Sequence, residues 1–367
     1  MDSAKHAVHG GDFFKAIGEE FEDLSRSGSV VSADVLDAWY DPSPLAVEKV
    51  RRWLPWLMRT SPPTHGEGLR RVIARTRGIP EEAILLGSGT SSLMYLAFPS
   101  LARRDSLAVL LDPMYGEYSH ILERVIGCRV VRHRLTAADG FRPDPERLAA
   151  DCREASLLVI VNPNSPTGNG LDGPGMERLL RLLPPACSVW IDETYVDFAP
   201  EGWCCEAIAA RDRRVVVAKS MSKFYALSGL RVGYLVANPE WIASLEPMSP
   251  PWSVGLVAQV AAVEALRDPE YYASVRRSTE ESRRQLELEL AALPGVEAVY
   301  PSVTNFLLFR VGRPGASEIV RRCRELGVFL RNCDSLSPRF RDDHIRTAVK
   351  DAESNRRILE ALRQALV

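Results

Sequence analysis

From residue 83 onward the chain alternates short apolar runs with amphipathic stretches, and this alternation restricts the fold more than any other feature. The runs are AILLGSG (83–89), SLAVLLDP (106–113), CRVVRHRL (128–135), SLLVIVNP (156–163), SVWIDETY (188–195), RRVVVAKS (213–220) and LRVGYLVAN (230–238). Helical patterns such as PGMERLLRLLPP (174–185) separate most of them. Strand and helix repeated in this way build an α/β fold: a mainly parallel sheet with helices on both faces. Ligands in such sheets bind at the carboxyl ends of the strands. Asp112, Asn162, Asp192 and Ser220 stand at those ends, so the chemistry is expected there.

The pattern changes after PPWSV (250–254). Residues 255–293 are helix-forming, and VEAVYPSVTNFLLFRV (296–311), a helical pattern at 316–326, VFLRNC (328–333), HIRTAVK (344–350) and a last helix at 351–366 follow. This predicts a small α/β unit with an antiparallel sheet. The expected division is an N-terminal arm at 1–45 with little regular pattern, a large domain at 46–255 and a small C-terminal domain at 256–367.

The chain has 367 residues, a formal net charge of −2 and 46% hydrophobic residues. That is ample for a large core and leaves no strong field for nucleic acid or an anionic membrane. The seven cysteines show no framework spacing, and adjacent Cys204 and Cys205 suit neither zinc nor a redox pair. No metal is expected. No basic region followed by an apolar run opens the chain, and no apolar stretch approaches membrane-spanning length. The expectation is a reduced, cytoplasmic protein without a membrane segment.

WIDETYVDF sets Asp192 after an apolar run and Tyr195 three residues later. VVVAKSMSKFYALSGLRVGY carries Lys219 and Lys223, with Ser220, Ser222 and Arg231 around the second lysine. Hydroxyls and a guanidinium are what a phosphate monoester needs. The glycines of GSGTSS (87–92) let backbone approach an anion, and Thr90 and Ser91 open the next helix, whose N–H groups point outward. An acid for a ring nitrogen, a phenol for a ring hydroxyl and a lysine about 30 residues on suit a pyridine cofactor.

The run SMSKFYALSGLRVGY resembles the lysine signature of fold-type I pyridoxal-phosphate enzymes. NPNSPTG (162–168), DETY (192–195), GSGTSS and DPMYGEY (112–118) stand in that family's order and spacing, so the resemblance covers nearly the whole chain. It implies a fold-type I transferase of the class I/II aminotransferase family, with a mainly parallel seven-stranded sheet in the large domain and a small C-terminal α/β domain. HGG (9–11), PWSV (251–254) and the Arg346-to-Asn355 stretch are most similar to the histidinol-phosphate aminotransferase and threonine-phosphate decarboxylase branch. The resemblance implies that Lys223 forms the Schiff base with pyridoxal 5'-phosphate and shuttles protons, that Asp192 pairs with the pyridine nitrogen and that Tyr195 bonds the ring hydroxyl. Tyr115 stacks on the ring, with Tyr118 as a substitute. Ser88, Gly89, Thr90, Ser220, Ser222 and Arg231 surround the phosphate, and Lys219 is structural. Arg346 pairs with the substrate carboxylate, and Asp34, His9 and Gly10 complete the substrate side.

Three positions depart from the family pattern. Ser165 stands where relatives carry an Asn that bonds the ring hydroxyl, with Asn162 and Asn164 nearby. Ser61 stands where a tyrosine reaches the partner's cofactor phosphate, with Thr64 and His65 as possible replacements. SADVLDAWYDPSP (32–44) places Asp34 and Asp37 where the branch has an Asn-containing loop. Carboxylates repel a substrate phosphate, which points to a cationic or neutral amino acid. The implied activity is that of an aminotransferase working on an amino acid through an external aldimine, specialised for secondary metabolism, in a homodimer with shared active sites. A decarboxylase, an elimination or cyclising lyase, and a non-catalytic binding protein are the alternatives. A nicotinamide dehydrogenase is disfavoured, because no G-x-G-x-x-G follows the first strand.

Overall fold

The computed structural model describes residues 10–367. A two-residue strand, β1 (Val31–Ser32), precedes the large sheet. All seven anticipated runs then form strands: β2 (Ile84–Gly87), β3 (Leu107–Asp112), β4 (Arg129–Arg134), β5 (Leu157–Val161), β6 (Ser188–Asp192), β7 (Val215–Ser220) and β8 (Gly233–Val236). They join in the order β2-β8-β7-β6-β5-β3-β4. Strands β3 to β7 pair in parallel, and β8 lies antiparallel between β2 and β7. Every residue of β2, β5, β7 and β8 is buried, as expected for strands covered on both faces.

The register brings one set of strand ends together. Val161 pairs with Asp192, Asp192 with Ala218, and Ser220 with Gly233. Because β8 runs the other way, its first residue, Gly233, also pairs with Gly87, the last of β2. Asp192, Ser220 and the GSGTSS turn therefore share one edge of the sheet. The helix Gly89–Leu101 leaves that turn and buries Leu93, Met94, Ala97 and Phe98.

The helix-forming stretch at 255–293 is two helices, Leu256–Leu266 and Pro269–Ala291. Asp268 caps the second, its side chain accepting from Tyr271 N, and Pro269 opens it, which ends one helix and starts the next. β9 (Val296–Val299), β10 (Phe306–Val311), β11 (Val328–Phe329), β12 (Arg331–Asn332) and β13 (His344–Ala348) follow. Four of them form an antiparallel sheet in the order β12-β13-β10-β9. The N-terminal segment has more structure than its pattern suggests: a helix at Phe13–Ile17, a 3-10 turn at Leu24–Ser29, and β1 paired in parallel with β11. A two-residue strand is too short to show periodicity. Past β1 the chain is tied to the small sheet, where the N–H of Ala348 donates to the carbonyl of Ala33 and Asn305 donates to that of Leu36.

Candidate active site

A cavity of about 220 Å³ opens at the shared strand edge, beneath residues 34–36 of the N-terminal segment. It brings together Gly10, Asp34, Thr90, Tyr115, Ser165, Asp192, Tyr195, Ser220, Ser222, Lys223, Arg231 and Arg346. Two other expected residues sit behind this lining. Ser88 donates to the carbonyl of Ser253. Gly89 has φ +80, and a Cβ there would stand 2.6 Å from Arg231 Nη2. His9 lies outside the described residues. Ser61, Thr64 and His65 are exposed and line no part of this cavity.

The two lysines part company where β7 ends: Lys219 lies within the buried strand, whereas Lys223 stands three residues past its last residue. Lys223 follows the end of β7 and lines the cavity; its Nζ donates to Asp37 Oδ1 at 2.8 Å. Lys219, in β7, is 1% exposed and lies 3.6 Å from Glu193, 3.3 Å from Asp197 and 4.0 Å from Glu206. Burial opposes its charge, but Asp197 and Glu206 outweigh this and push the ammonium well above the ordinary lysine range. Burial drives Glu193 up to about 7, against the pull of Lys219. Asp197 is held down at about 2: burial works against the charge, and Arg77 and Lys219 overcome it. Glu193, Cys204 and Glu206 are grouped closely enough to hold a metal ion, but Lys219 already brings a cation to both glutamates.

Asp192 is buried at the end of β6. Its Oδ1 accepts from the Thr194 N–H at 2.9 Å and the Thr194 hydroxyl at 2.6 Å. Its Oδ2 accepts from the Tyr118 hydroxyl at 2.7 Å. Burial raises its pKa despite these donors. Tyr118 is fully buried and itself accepts from Trp190 Nε1 at 2.9 Å. It is therefore no substitute ring-stacking residue, but a support for Asp192. Tyr115 is the tyrosine that faces the cavity, its phenol pushed up to about 12 by burial.

Ser165 takes up a different contact from the one expected of an Asn. Its hydroxyl accepts from Arg346 Nη1 at 3.0 Å, while Arg346 Nη2 donates to the Asp34 carbonyl at 2.8 Å. Arg346 Nε is buried without a partner. Asn162 is bonded to the backbone of Leu171, and Asn164 donates to Pro113 and Thr167. Both asparagines hold the loop, and neither reaches the cavity.

The two acidic residues of the N-terminal segment are also engaged within the chain. Asp34 Oδ2 accepts from the Gly11 N–H at 2.6 Å, and Asp37 holds Lys223. This removes the ground for expecting a cationic substrate. A residue the sequence did not single out bears on the same point. Arg331 is buried and pairs in register with Arg346. Burial, and then the charge of Arg346, pull its guanidinium below the ordinary arginine range. The arginine in VFLRNC was visible, but the strand pairing that sets it beside Arg346 was not.

The site fits a phosphorylated pyridine. A Cβ on Gly233 would lie 2.9 Å from Lys219 O and 3.1 Å from Thr90 N, so only glycine lets the GSGTSS turn close against β8. The helix that leaves this turn has no side-chain cap, and its first N–H groups are open to an anion. Arg231 Nη1 donates to Ser222 Oγ at 3.3 Å and to the Ser228 carbonyl at 2.9 Å, which holds its guanidinium beside the same turn. At the other end Asp192 offers a buried carboxylate to a ring nitrogen.

Comparison with known proteins agrees with this geometry. Residues 57–362 match the family model for aminotransferase class I and II. The histidinol-phosphate aminotransferase of Symbiobacterium thermophilum is 32% identical over 353 residues, 95% of each chain. The threonine-phosphate decarboxylase of Salmonella typhimurium is 29% identical over 304 residues, 81% of each. Among solved structures, the histidinol-phosphate aminotransferase of Sinorhizobium meliloti in complex with pyridoxal-5'-phosphate superposes with a TM-score of 0.81 at 22% identity, covering 90% of this chain and 89% of that one. This protein belongs to the class I and II aminotransferases, enzymes that use pyridoxal phosphate.

Proposed function

We propose that the chain is an aminotransferase acting on an amino acid whose carboxylate is bound by Arg346. The observation that carries this reading is the buried, unpartnered Nε of Arg346, in a cavity that also holds Lys223 and Asp192. A guanidinium with a donor left over can give a carboxylate a charge-assisted hydrogen bond. Bound pyridoxal phosphate supplies an electron sink for charge released at the substrate α-carbon. Lys223 is the residue that links to the cofactor and moves the proton. Asp192 would hold the ring nitrogen, and Tyr195, kept protonated by burial, would donate to the ring hydroxyl. Tyr115 covers the ring. Ser88, Gly89, Thr90, Ser220, Ser222 and Arg231 surround the phosphate. Ser165 orients Arg346, and Gly10 and Asp34 close the substrate side.

With Asp34 bonded to the Gly11 N–H, Asp37 bonded to Lys223, and Arg346 lining the cavity, a substrate carrying a second anionic group fits this wall better than a cationic one. Threonine phosphate, named in the Salmonella relative, carries both a carboxylate and a phosphate and supports that choice. A cytoplasmic homodimer completes the reading, as does the division at residues 45 and 255. Trp53, Leu54, Trp56 and Met58 stand exposed on the helix Pro44–Arg59, the kind of apolar face that a second copy covers. Among the described residues no helix is long and apolar enough to cross a membrane. The second reading is a decarboxylase, favoured by the Salmonella relative. The test is mass spectrometry of products from a panel of phosphorylated, neutral and cationic amino acids, with and without a keto acid. Consumption of the keto acid with a phosphorylated donor supports the proposal. Carbon dioxide released with the keto acid untouched supports the decarboxylase, and turnover of cationic donors alone refutes the substrate choice.

A further inference from the structure

Asp37 reaches from the N-terminal segment to the amine of Lys223. Its Oδ1 accepts from Lys223 Nζ at 2.8 Å and from the Ser228 hydroxyl at 2.6 Å. Its main-chain carbonyl accepts from Lys350 Nζ at 3.2 Å. Two flanking bonds hold the segment in place. Asn305 donates to the carbonyl of Leu36, just before Asp37, at 3.0 Å, and the Tyr40 hydroxyl donates to the carbonyl of Phe224, just after Lys223, at 2.8 Å. Asp37 is thus fixed from the small sheet on one side and from the lysine loop on the other. Burial pushes its carboxyl up, but Lys223, Ser228 and Lys350 outweigh this and hold it below the ordinary aspartate range. The other titratable groups near the pair are Lys350, which follows β13, Tyr195, which follows β6, and Asp34. Of these only Lys350 is a cation, and it bonds the backbone of Asp37, so the carboxylate is left to Lys223.

We propose that Asp37 is a positioning residue that holds Lys223 Nζ by a charge-assisted hydrogen bond whenever Lys223 is not linked to the cofactor. The proposal rests on the role assigned above to Lys223. In each turnover the substrate amine displaces the lysine, and the freed Nζ must go somewhere within reach. Asp37 and Ser228 form a ready receptor for it. The same pair has to open before an empty site can capture the cofactor, because only the neutral amine bonds to an aldehyde carbon.

The test uses the full-length chain freed of cofactor. Limiting acetic anhydride labels lysines in proportion to their neutral amine, and peptide mass spectrometry compares Lys223 with the exposed Lys15 and Lys49 across the neutral to alkaline range. Asp37→Asn keeps the shape and removes the charge. It should speed acetylation of Lys223 by about tenfold, since a hydrogen bond to a charged partner, worth about 1.5–3 kcal/mol, no longer has to break before Nζ can react. Ser228→Ala should give a smaller rise, and Asp37→Glu should stay near the wild type. If Asp37→Asn leaves Lys223 within about twofold of the wild-type rate, or slows it, while Lys15 and Lys49 are unchanged, the proposal is wrong. Should Asp37→Asn fail to fold by circular dichroism, Ser228→Ala decides: no rise there overturns the proposal. Capture of pyridoxal phosphate, followed separately by its visible absorbance, tests the role of Lys223, and its failure in the wild type would sink that role without affecting the labelling result.

Discussion

Tyr118→Phe isolates one hydroxyl in the support beneath the cofactor. The ring itself should stay in place, packed against Phe98 and Tyr115 at centroid distances of 5.8 and 6.0 Å, because phenylalanine fills the same space. Two bonds are lost. The hydroxyl no longer donates to Asp192 Oδ2 at 2.7 Å, and Trp190 Nε1 loses its acceptor at 2.9 Å. A hydrogen bond to a charged group is worth about 1.5–3 kcal/mol, and a buried donor left without a partner costs about 1–3 kcal/mol. Partial relaxation makes the sum smaller, so destabilisation of about 3 kcal/mol is expected, a large part of a typical domain's total. The effect on function follows from the same contact. Burial already raises the pKa of Asp192, and removing a donor that favours its charged form raises it further. A carboxyl that ionises less readily holds a protonated pyridine less tightly, so cofactor affinity should fall about tenfold. Urea unfolding measures the first effect, and titration with pyridoxal phosphate measures the second. Unchanged stability and unchanged affinity in Tyr118→Phe would refute the role given to this hydroxyl.

The remaining expectations concern the lysines and the glycine turn. Lys223→Ala should fold and lose the covalent link to the cofactor, whereas Lys219→Ala should keep the link but lose about 3–5 kcal/mol, because Glu193, Asp197 and Glu206 are left with only Arg77 to balance them; borohydride trapping and urea unfolding separate the two. For Glu193, raised to about 7, the fold favours the protonated form. That stabilisation is complete below the ordinary glutamate range and is lost as pH rises through about 7, to an extent on the order of 3 kcal/mol. Glu193→Gln should flatten this part of the stability profile, and an unchanged slope would count against the assignment. Gly89→Ala places a Cβ 2.6 Å from Arg231 Nη2 at φ +80; it should cost about 1–2 kcal/mol and weaken phosphate binding, and normal cofactor affinity in this variant would show that Arg231 does not need that space.

Local pattern carried the fold a long way. Seven strand-length runs with helices between them dictate a covered, mainly parallel sheet, because apolar periodicity and turn residues act over a few positions and can be read without knowing what lies opposite. The same holds for the residue types at the strand ends: Asp192, Ser220 and Lys223 sit in runs whose chemistry is visible in place. The short strand β1 was not legible, because two residues carry no period, and its partner β11 lies almost 300 positions away.

What the sequence by itself determined, then, is the sheet and the family, and it set Lys219 within a strand-length run and Lys223 just beyond it. Only the tertiary structure decided that Tyr118 supports Asp192 from 74 positions away, that Ser165 turns to Arg346 across 181, and that Asp37 meets Lys223 across 186. It also decided that Arg331 stands beside Arg346. The physical reason is the same in each case. A side chain's type is local, but the partner that sets its charge, its orientation and its availability is supplied by another part of the chain, and only packing brings the two within hydrogen-bonding distance.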